Sequence, residues 1–111
     1  DDVKDNFTIM KEEPFGPLVP ILTFKTFDEV IERANDNDLG LCSYLYTNSM
    51  DKAHIGSEKL ESGCVAVNTG VVALAEAPFG GIKQTGYGRE GGSGAIKDYL
   101  NVKYTHMGLK I

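Results

Sequence analysis

Glycine is concentrated in one part of this 111-residue chain, and this distribution constrains the fold more than any other feature. Seven of the 13 glycines lie within residues 80–94. Because glycine lacks a Cβ atom, it accepts left-handed backbone angles and close approach of other backbone, but it weakens regular helices and strands. We therefore expect this segment to consist of turns and close backbone contacts, with regular elements on either side.

Part of this segment, residues 86–91, reads Gly-Tyr-Gly-Arg-Glu-Gly and matches G-x-G-x-x-G, the pattern of a dinucleotide phosphate loop. That loop requires an apolar strand before it, a helix that opens at the last glycine, and an acidic residue about 20 positions on. Residues 80–85 are not an apolar strand, Gly92 and Gly94 weaken a helix start, and the chain ends too early for the acidic residue. The sequence therefore favours a structural turn.

Strands are predicted where apolar and β-branched residues form short runs. These runs cover residues 18–24, 41–46 and 64–68, and residues 101–107 alternate as in a strand with two unlike faces. Pro20 restricts the first run to a sheet edge or a bulge.

Helices are predicted between these strands. Thr26 and Glu29 form a capping box, in which each side chain bonds the other residue's backbone N–H, and the helix ends at residues 35–38. Asn48 or Ser49 caps a second helix, for which Gly63 is the expected C-terminal cap, and a short helix is predicted over residues 95–100. The alternation of strands and helices predicts an α/β fold with some parallel pairing.

Composition excludes several functional classes. The net charge of −5 argues against a nucleic-acid surface, which needs clustered Lys and Arg, and no apolar run approaches the ~20 residues of a membrane span. Cys42 and Cys64 are too few for a disulfide scaffold and are expected to be buried structural thiols, which favours a cytoplasmic protein. His54 and His106 lack further ligands, so we expect no metal site and no complete catalytic set.

Three segments remain distinctive. Residues 13–17 read E-P-F-G-P, residues 63–68 read G-C-V-A-V-N, and residues 78–90 read P-F-G-G-I-K-Q-T-G-Y-G-R-E. In this order they resemble the C-terminal part of an NAD(P)-dependent aldehyde dehydrogenase, and most of all the succinate-semialdehyde dehydrogenase type. The resemblance covers essentially the whole chain.

The resemblance implies a fold and an assembly. Residues 1–100 would be the C-terminal part of a catalytic domain with α/β/α layers. Residues 101–111 would be an oligomerisation arm strand and tail, which extends the sheet of a neighbouring subunit in a homo-oligomer. An exposed edge strand needs such a partner to avoid aggregation.

The resemblance also implies roles for individual residues. Glu13 would accept hydrogen bonds from the nicotinamide ribose hydroxyls of NAD or NADP, and Phe15 would pack against the nicotinamide end. Phe79 would line the aldehyde pocket. Arg89 and Glu90 match a pair whose role is structural rather than catalytic.

Two departures from the family pattern limit the assignment. The family's nucleophilic cysteine, general-base glutamate and oxyanion-stabilising asparagine lie upstream of the matched region, and Cys42 and Cys64 do not align with the nucleophile. We therefore expect no catalytic residue in this chain. The succinate-semialdehyde type also has a serine that binds the substrate carboxylate, whereas this chain has Ala73, whose methyl group cannot donate a hydrogen bond. Another semialdehyde or a less polar aldehyde is therefore open as the substrate.

The expected function is that of one piece of a longer oxidoreductase subunit. The parent enzyme would oxidise an aldehyde to a carboxylic acid through a thiohemiacetal and a thioester, with NAD(P)+ as the hydride acceptor, and the chain alone would be inactive. Two alternatives stay open. One is a non-catalytic interaction module that pairs through residues 101–107, and the other is a CoA-acylating semialdehyde dehydrogenase.

Overall fold

The fold was analysed in a computed structural model that describes residues 3–110. Its regular elements are, in chain order, α1 (Thr8–Lys11), α2 (Phe27–Asn35), β1 (Leu39–Gly40), β2 (Cys42–Leu45), α3 (Met50–Lys59), β3 (Cys64–Val67), β4 (Ile82–Lys83) and a 3-10 helix (Ala95–Tyr99).

A β-α-β unit forms the centre of the structure. Strands β2 and β3 are parallel, with Cys42 opposite Cys64 and Leu45 opposite Val67. Parallel neighbours need a crossover connection, and α3 provides it and packs on both strands. The predicted strands over residues 41–46 and 64–68 and the predicted parallel pairing are thus confirmed.

Helix α2 begins where its capping residue was predicted. The Thr26 Oγ1 accepts a hydrogen bond from the Glu29 N–H at 3.2 Å, and the Glu29 carboxylate accepts from the Lys25 N–H at 2.8 Å. This bond to Lys25 is the main reason why the pKa of Glu29 is lowered, with further lowering by the Thr26 backbone N–H and by Arg33. The second predicted cap is also confirmed, because the Ser49 Oγ accepts from the Lys52 N–H.

The core lies between the helices and the two parallel strands. Ile31 and Ala66 are the buried apolar side chains among the described residues. The backbone of Gly56 in α3 lies against the side chains of Leu45 and Phe27, so that a Cβ atom added to Gly56 would lie 2.6 Å from the Leu45 Cδ2. Glycine at this position therefore lets α3 approach both β2 and α2.

The glycine-rich segment consists of turns, as predicted. Gly86, Gly88, Gly91 and Gly92 all have φ between +63° and +117°. Before these turns, β4 pairs antiparallel with β1, with Leu39 opposite Lys83 and Gly40 opposite Ile82. The G-x-G-x-x-G match therefore lies in a turn region that follows a two-residue strand. The helix predicted over residues 95–100 is a 3-10 helix.

Two sequence predictions of local structure are wrong. Residues 18–24 do not form a strand, because they find no strand to pair with among the described residues, and Val19 and Ile21 are 81% and 78% exposed. Gly63 does not cap α3, which ends at Lys59 with Leu60 as its C-cap. Instead the Gly63 N–H donates to the Gly40 carbonyl at 3.0 Å and begins the approach to β3.

The strand predicted over residues 101–107 does not form within the described part of the chain, and Val102 and Tyr104 are 102% and 84% exposed. The radius of gyration is 19.5 Å, against about 13 Å for a compact chain of this length. The structure therefore leaves much apolar surface uncovered. The predicted pairing of this segment with a neighbouring subunit stays a prediction.

Candidate functional site

A groove of 640 Å³ brings together three of the four residues that the sequence singled out for binding. Glu13, Ala73 and Phe79 all line it, although they are far apart in the sequence. Glu13 and Ala73 are exposed and Phe79 is half-buried. The groove therefore presents a carboxylate, a methyl group and an aromatic ring around one volume. Each of these groups is accessible from solvent.

Phe15 is the fourth singled-out residue and does not line the groove. Its side chain is 93% exposed, although it lies only two positions after Glu13. Covering the face of an exposed aromatic ring with a flat partner is energetically favourable. The Phe15 ring is thus free to pack on a ligand or on another part of the protein.

Backbone hydrogen bonds fix Phe79 on one side. The Phe79 N–H donates to the Glu90 carbonyl and the Glu90 N–H donates to the Phe79 carbonyl, both at 2.7 Å. The Arg89 guanidinium donates to the carbonyl of Gly81 at 2.8 Å, and the Arg89 N–H donates to the Asp98 carboxylate at 3.0 Å. These contacts agree with the structural role that the resemblance implied for Arg89 and Glu90.

The two cysteines lie opposite each other on β2 and β3 and are half-buried rather than buried as predicted. The Cys64 Sγ contacts the Gly80 carbonyl oxygen at 3.8 Å, directly after Phe79. Partial burial, and then the neighbouring Cys64, raise the pKa of the Cys42 thiol. Cys42 therefore remains a neutral thiol at neutral pH, as a structural role requires.

Lys83 and Thr85 are the contributors near the groove that sequence reasoning missed. The Thr85 Oγ1 accepts a hydrogen bond from the Gly40 N–H at 2.8 Å and lines the groove. The Lys83 ammonium contacts residues 35, 37 and 61, with its side chain 25% exposed. Both residues lie in the distinctive segment 78–90, but their partners are too distant in sequence for any local pattern to indicate them.

Among residues 3–110, no three His, Cys, Asp or Glu side chains are arranged to hold a metal ion.

Across the same residues, no helix combines the length and the apolar character needed to cross a bilayer.

Comparison with known proteins identifies the class to which this fold and groove belong. Residues 1–105 match the model of the aldehyde dehydrogenase family, and the chain belongs to this family. The family resemblance seen in the three sequence segments is thereby confirmed.

Individual relatives agree with this assignment. The chain is 46% identical over 108 residues to succinate-semialdehyde dehydrogenase [NADP(+)] GabD of Escherichia coli, covering 97% of this chain and 22% of that protein. It is 46% identical over 107 residues to glutarate-semialdehyde dehydrogenase of Pseudomonas aeruginosa, covering 96% of this chain and 22% of that protein.

A solved structure shows the same backbone. The NAD+ complex of aldehyde dehydrogenase from Bacillus cereus superposes with a TM-score of 0.88 at 47% identity, covering 92% of this chain and 21% of that chain. The chain thus spans about a fifth of the length of the relatives that it matches.

Proposed function

We propose that this chain forms the C-terminal part of the catalytic domain of an NAD(P)-dependent aldehyde dehydrogenase that oxidises a semialdehyde to a carboxylic acid. The observation that carries the proposal is the groove that unites Glu13, Ala73 and Phe79. Family membership and the names of the semialdehyde dehydrogenase relatives support the reaction class. In this proposal residues 1–100 belong to the catalytic domain and residues 101–111 form the oligomerisation arm and tail.

The groups at the groove suit the cofactor and the substrate. An ionised carboxylate only accepts hydrogen bonds, so exposed Glu13 can bind the two hydroxyl donors of a ribose. The exposed Phe15 ring offers an apolar face to the nicotinamide end and would restrict its orientation. Bound NAD(P)+ would supply the hydride acceptor. Phe79, held by its hydrogen bonds to Glu90, would form one wall of the aldehyde pocket.

In this proposal the side chain at position 73 determines which aldehyde the pocket prefers. A methyl group cannot hydrogen-bond a distal carboxylate, so the pocket is expected to bind succinate semialdehyde less tightly than a pocket with serine there. Relatives named for succinate and for glutarate semialdehyde are equally similar to this chain. We therefore propose the semialdehydes as the substrate class.

The nucleophile and the general base would come from outside this chain, so the 111-residue chain alone should be inactive. Its cytoplasmic location and its homo-oligomeric state remain predictions. The exposure of segment 101–107 is compatible with pairing to another subunit.

Kinetics of the protein that carries this chain test the proposal. Reduced cofactor is measured with succinate or glutarate semialdehyde and either NAD+ or NADP+, in the wild type and in Glu13→Gln. Loss of a charge-assisted hydrogen bond of about 1.5–3 kcal/mol should raise the cofactor KM about tenfold or more. Unchanged cofactor kinetics would remove Glu13 from the cofactor site.

Two controls separate the alternatives. Product analysis with and without CoA distinguishes a free acid from an acyl-CoA product. Aldehyde-dependent cofactor reduction by the isolated 111-residue chain would contradict the expected inactivity. If the whole protein shows no aldehyde-dependent cofactor reduction, an interaction module is favoured.

A further inference from the structure

Lys83 lies at a junction of three parts of the fold. Its ammonium donates to the carbonyl oxygens of Asn35 at 2.8 Å and Asn37 at 2.9 Å, and it pairs with the Glu61 carboxylate at 2.6 Å. Asn35 ends α2, and Glu61 follows α3 by two positions. One side chain thus connects β4 to the ends of both helices.

The number and type of these partners suit lysine. An ammonium group has three N–H donors, and here three oxygen atoms accept from it. Two of them are carbonyls at or just beyond the C-terminal end of α2, where the helix dipole favours positive charge. The planar guanidinium of arginine presents its donors in a fixed fork and cannot place one nitrogen among three acceptors in this way.

The partners of Lys83 are themselves tied together. The Asn35 side chain donates to the Lys59 carbonyl at 2.8 Å and accepts from the Glu61 N–H at 2.9 Å. The ammonium therefore attaches β4 to a preformed junction between α2 and α3.

The backbone at Lys83 is in an unfavourable conformation. Its φ of +56° lies in the left-handed region, which a side chain with a Cβ atom adopts only when surrounding contacts impose it. Its register opposite Leu39 and the hydrogen bond from the Gln84 N–H to the Asp38 carbonyl impose it from the backbone side. The contacts of the Lys83 ammonium group also hold the residue in this left-handed conformation.

Lys83 follows Phe79 by four residues, and Phe79 lines the groove. Glu90 holds Phe79 itself, and Arg89 holds the intervening Gly81. The Lys83 side-chain contacts are therefore a further attachment of the segment on its C-terminal side, next to the pairing of Ile82 with Gly40. If they are lost, the left-handed turn can relax and the Phe79 wall can move.

We propose that Lys83 is a positioning residue that fixes the Phe79 segment in the aldehyde pocket and thereby sets the affinity for the aldehyde rather than for the cofactor. This inference rests on the proposed function, because it takes Phe79 as a wall of that pocket. Lys83 itself does not line the groove.

The test compares Lys83→Met, Lys83→Arg and the control Lys97→Met in the purified protein that carries this chain. Lys97 is exposed in the 3-10 helix and is not part of the junction. Lys83→Met should raise the aldehyde KM about tenfold while the cofactor KM stays within about twofold of the wild type. Lys83→Arg keeps the charge and should raise the aldehyde KM less, and Lys97→Met should behave as the wild type.

A purely structural role gives a different result. In that case Lys83→Met lowers the thermal midpoint and the active fraction but leaves both KM values unchanged, or shifts them by one common factor, and either outcome overturns the inference. If Lys83→Met fails to fold, Glu61→Gln decides, because it keeps an acceptor at a half-exposed side chain and removes only the charge.

For Glu61→Gln, we expect the aldehyde KM to rise about threefold with the cofactor KM unchanged, because a hydrogen bond to a neutral acceptor is weaker than one to a carboxylate. An aldehyde KM equal to that of the wild type contradicts the inference. Failure of the proposed function is distinguishable, since the wild-type protein would then show no aldehyde-dependent cofactor reduction at all.

Discussion

Gly63 and Gly80 lie so close together that Gly63 has no room for a side chain. A Cβ atom placed on Gly63 would overlap the Gly80 carbonyl oxygen and would lie 2.8 Å from the Gly80 carbonyl carbon. Backbone atoms cannot rotate away as a flexible side chain can. The start of β3 and the residue after Phe79 are therefore held at a separation that only glycine permits.

We predict that Gly63→Ala destabilises the protein and displaces the Phe79 segment. Overpacking of this kind costs typically ~1–3 kcal/mol. The urea concentration at the midpoint of unfolding should fall. The aldehyde KM should rise in the same variant. Gly94→Ala is the matched control, because its φ is −85° and nothing lies within 4 Å of the added Cβ atom. A Gly63→Ala protein as stable as Gly94→Ala would show that the close approach is relieved without cost.

Phe15 allows binding to be separated from stability. Since its ring is 93% exposed, Phe15→Ala should leave the thermal midpoint unchanged. If the ring packs on the nicotinamide end, burial of a Phe side chain is worth ~1.5–3 kcal/mol, and the cofactor KM should rise about tenfold. Tyr87→Ala removes another fully exposed ring and serves as the control in steady-state kinetics. An unchanged cofactor KM in Phe15→Ala would rule out the packing role.

Ala73→Ser tests the substrate end of the groove. A serine hydroxyl can donate to a distal carboxylate, so kcat/KM for succinate semialdehyde should increase, about tenfold for one hydrogen bond to a charged group. An aldehyde of the same length without the carboxylate should show no increase. Ala75→Ser, at an exposed position outside the groove, is the matched variant. Equal gains for both aldehydes, or none for either, would argue against carboxylate binding at residue 73.

The capping contact of Glu29 predicts a pH dependence of stability. The Lys25 and Thr26 backbone N–H groups and Arg33 lower the pKa of Glu29 in the folded state. The contribution of Glu29 to stability is therefore present above the ordinary glutamate value of 4.5 and is lost as the pH falls through the lower folded value. Glu29→Gln should therefore be less stable than the wild type at pH 7. The difference should vanish at strongly acidic pH.

Urea unfolding at several pH values measures this difference. Glu32→Gln, on the same helix, is the control for removal of one carboxylate from α2. A difference between the wild type and Glu29→Gln that is constant with pH would assign the effect to the change of side chain and not to its charge.

Local patterns predicted the elements whose stabilising contacts are local. The Thr26 cap joins residues three positions apart, and the helix begins there. The apolar run around Cys64 forms a strand because β2 supplies its partner. The strand predicted at residues 18–24 does not form because a strand depends on a partner strand, and a composition rich in β-forming residues does not supply one. The prediction that Gly63 caps α3 failed because glycine is required there by the close approach of Gly80 and not by the end of the helix.

The same distinction holds for the site. Glu13, Ala73 and Phe79 were singled out through the family resemblance, and the fold brings them to one groove. Composition and spacing alone gave these residues no common location. Lys83 was missed because its three acceptors lie 22 to 48 positions away in the sequence and its positive φ leaves no mark in the residue pattern.

The parallel β2–α3–β3 unit indicates the order in which parts of this chain fold. Its strand pairing and the packing of α3 on both strands lie within residues 42–67, whereas the segments around it leave large apolar side chains in water. Amide protons of β2 and β3 should therefore exchange with solvent most slowly, and those of residues 101–107 most rapidly. During synthesis this unit could form as soon as residue 67 is available, so that the flanking segments settle onto surfaces that are already in place.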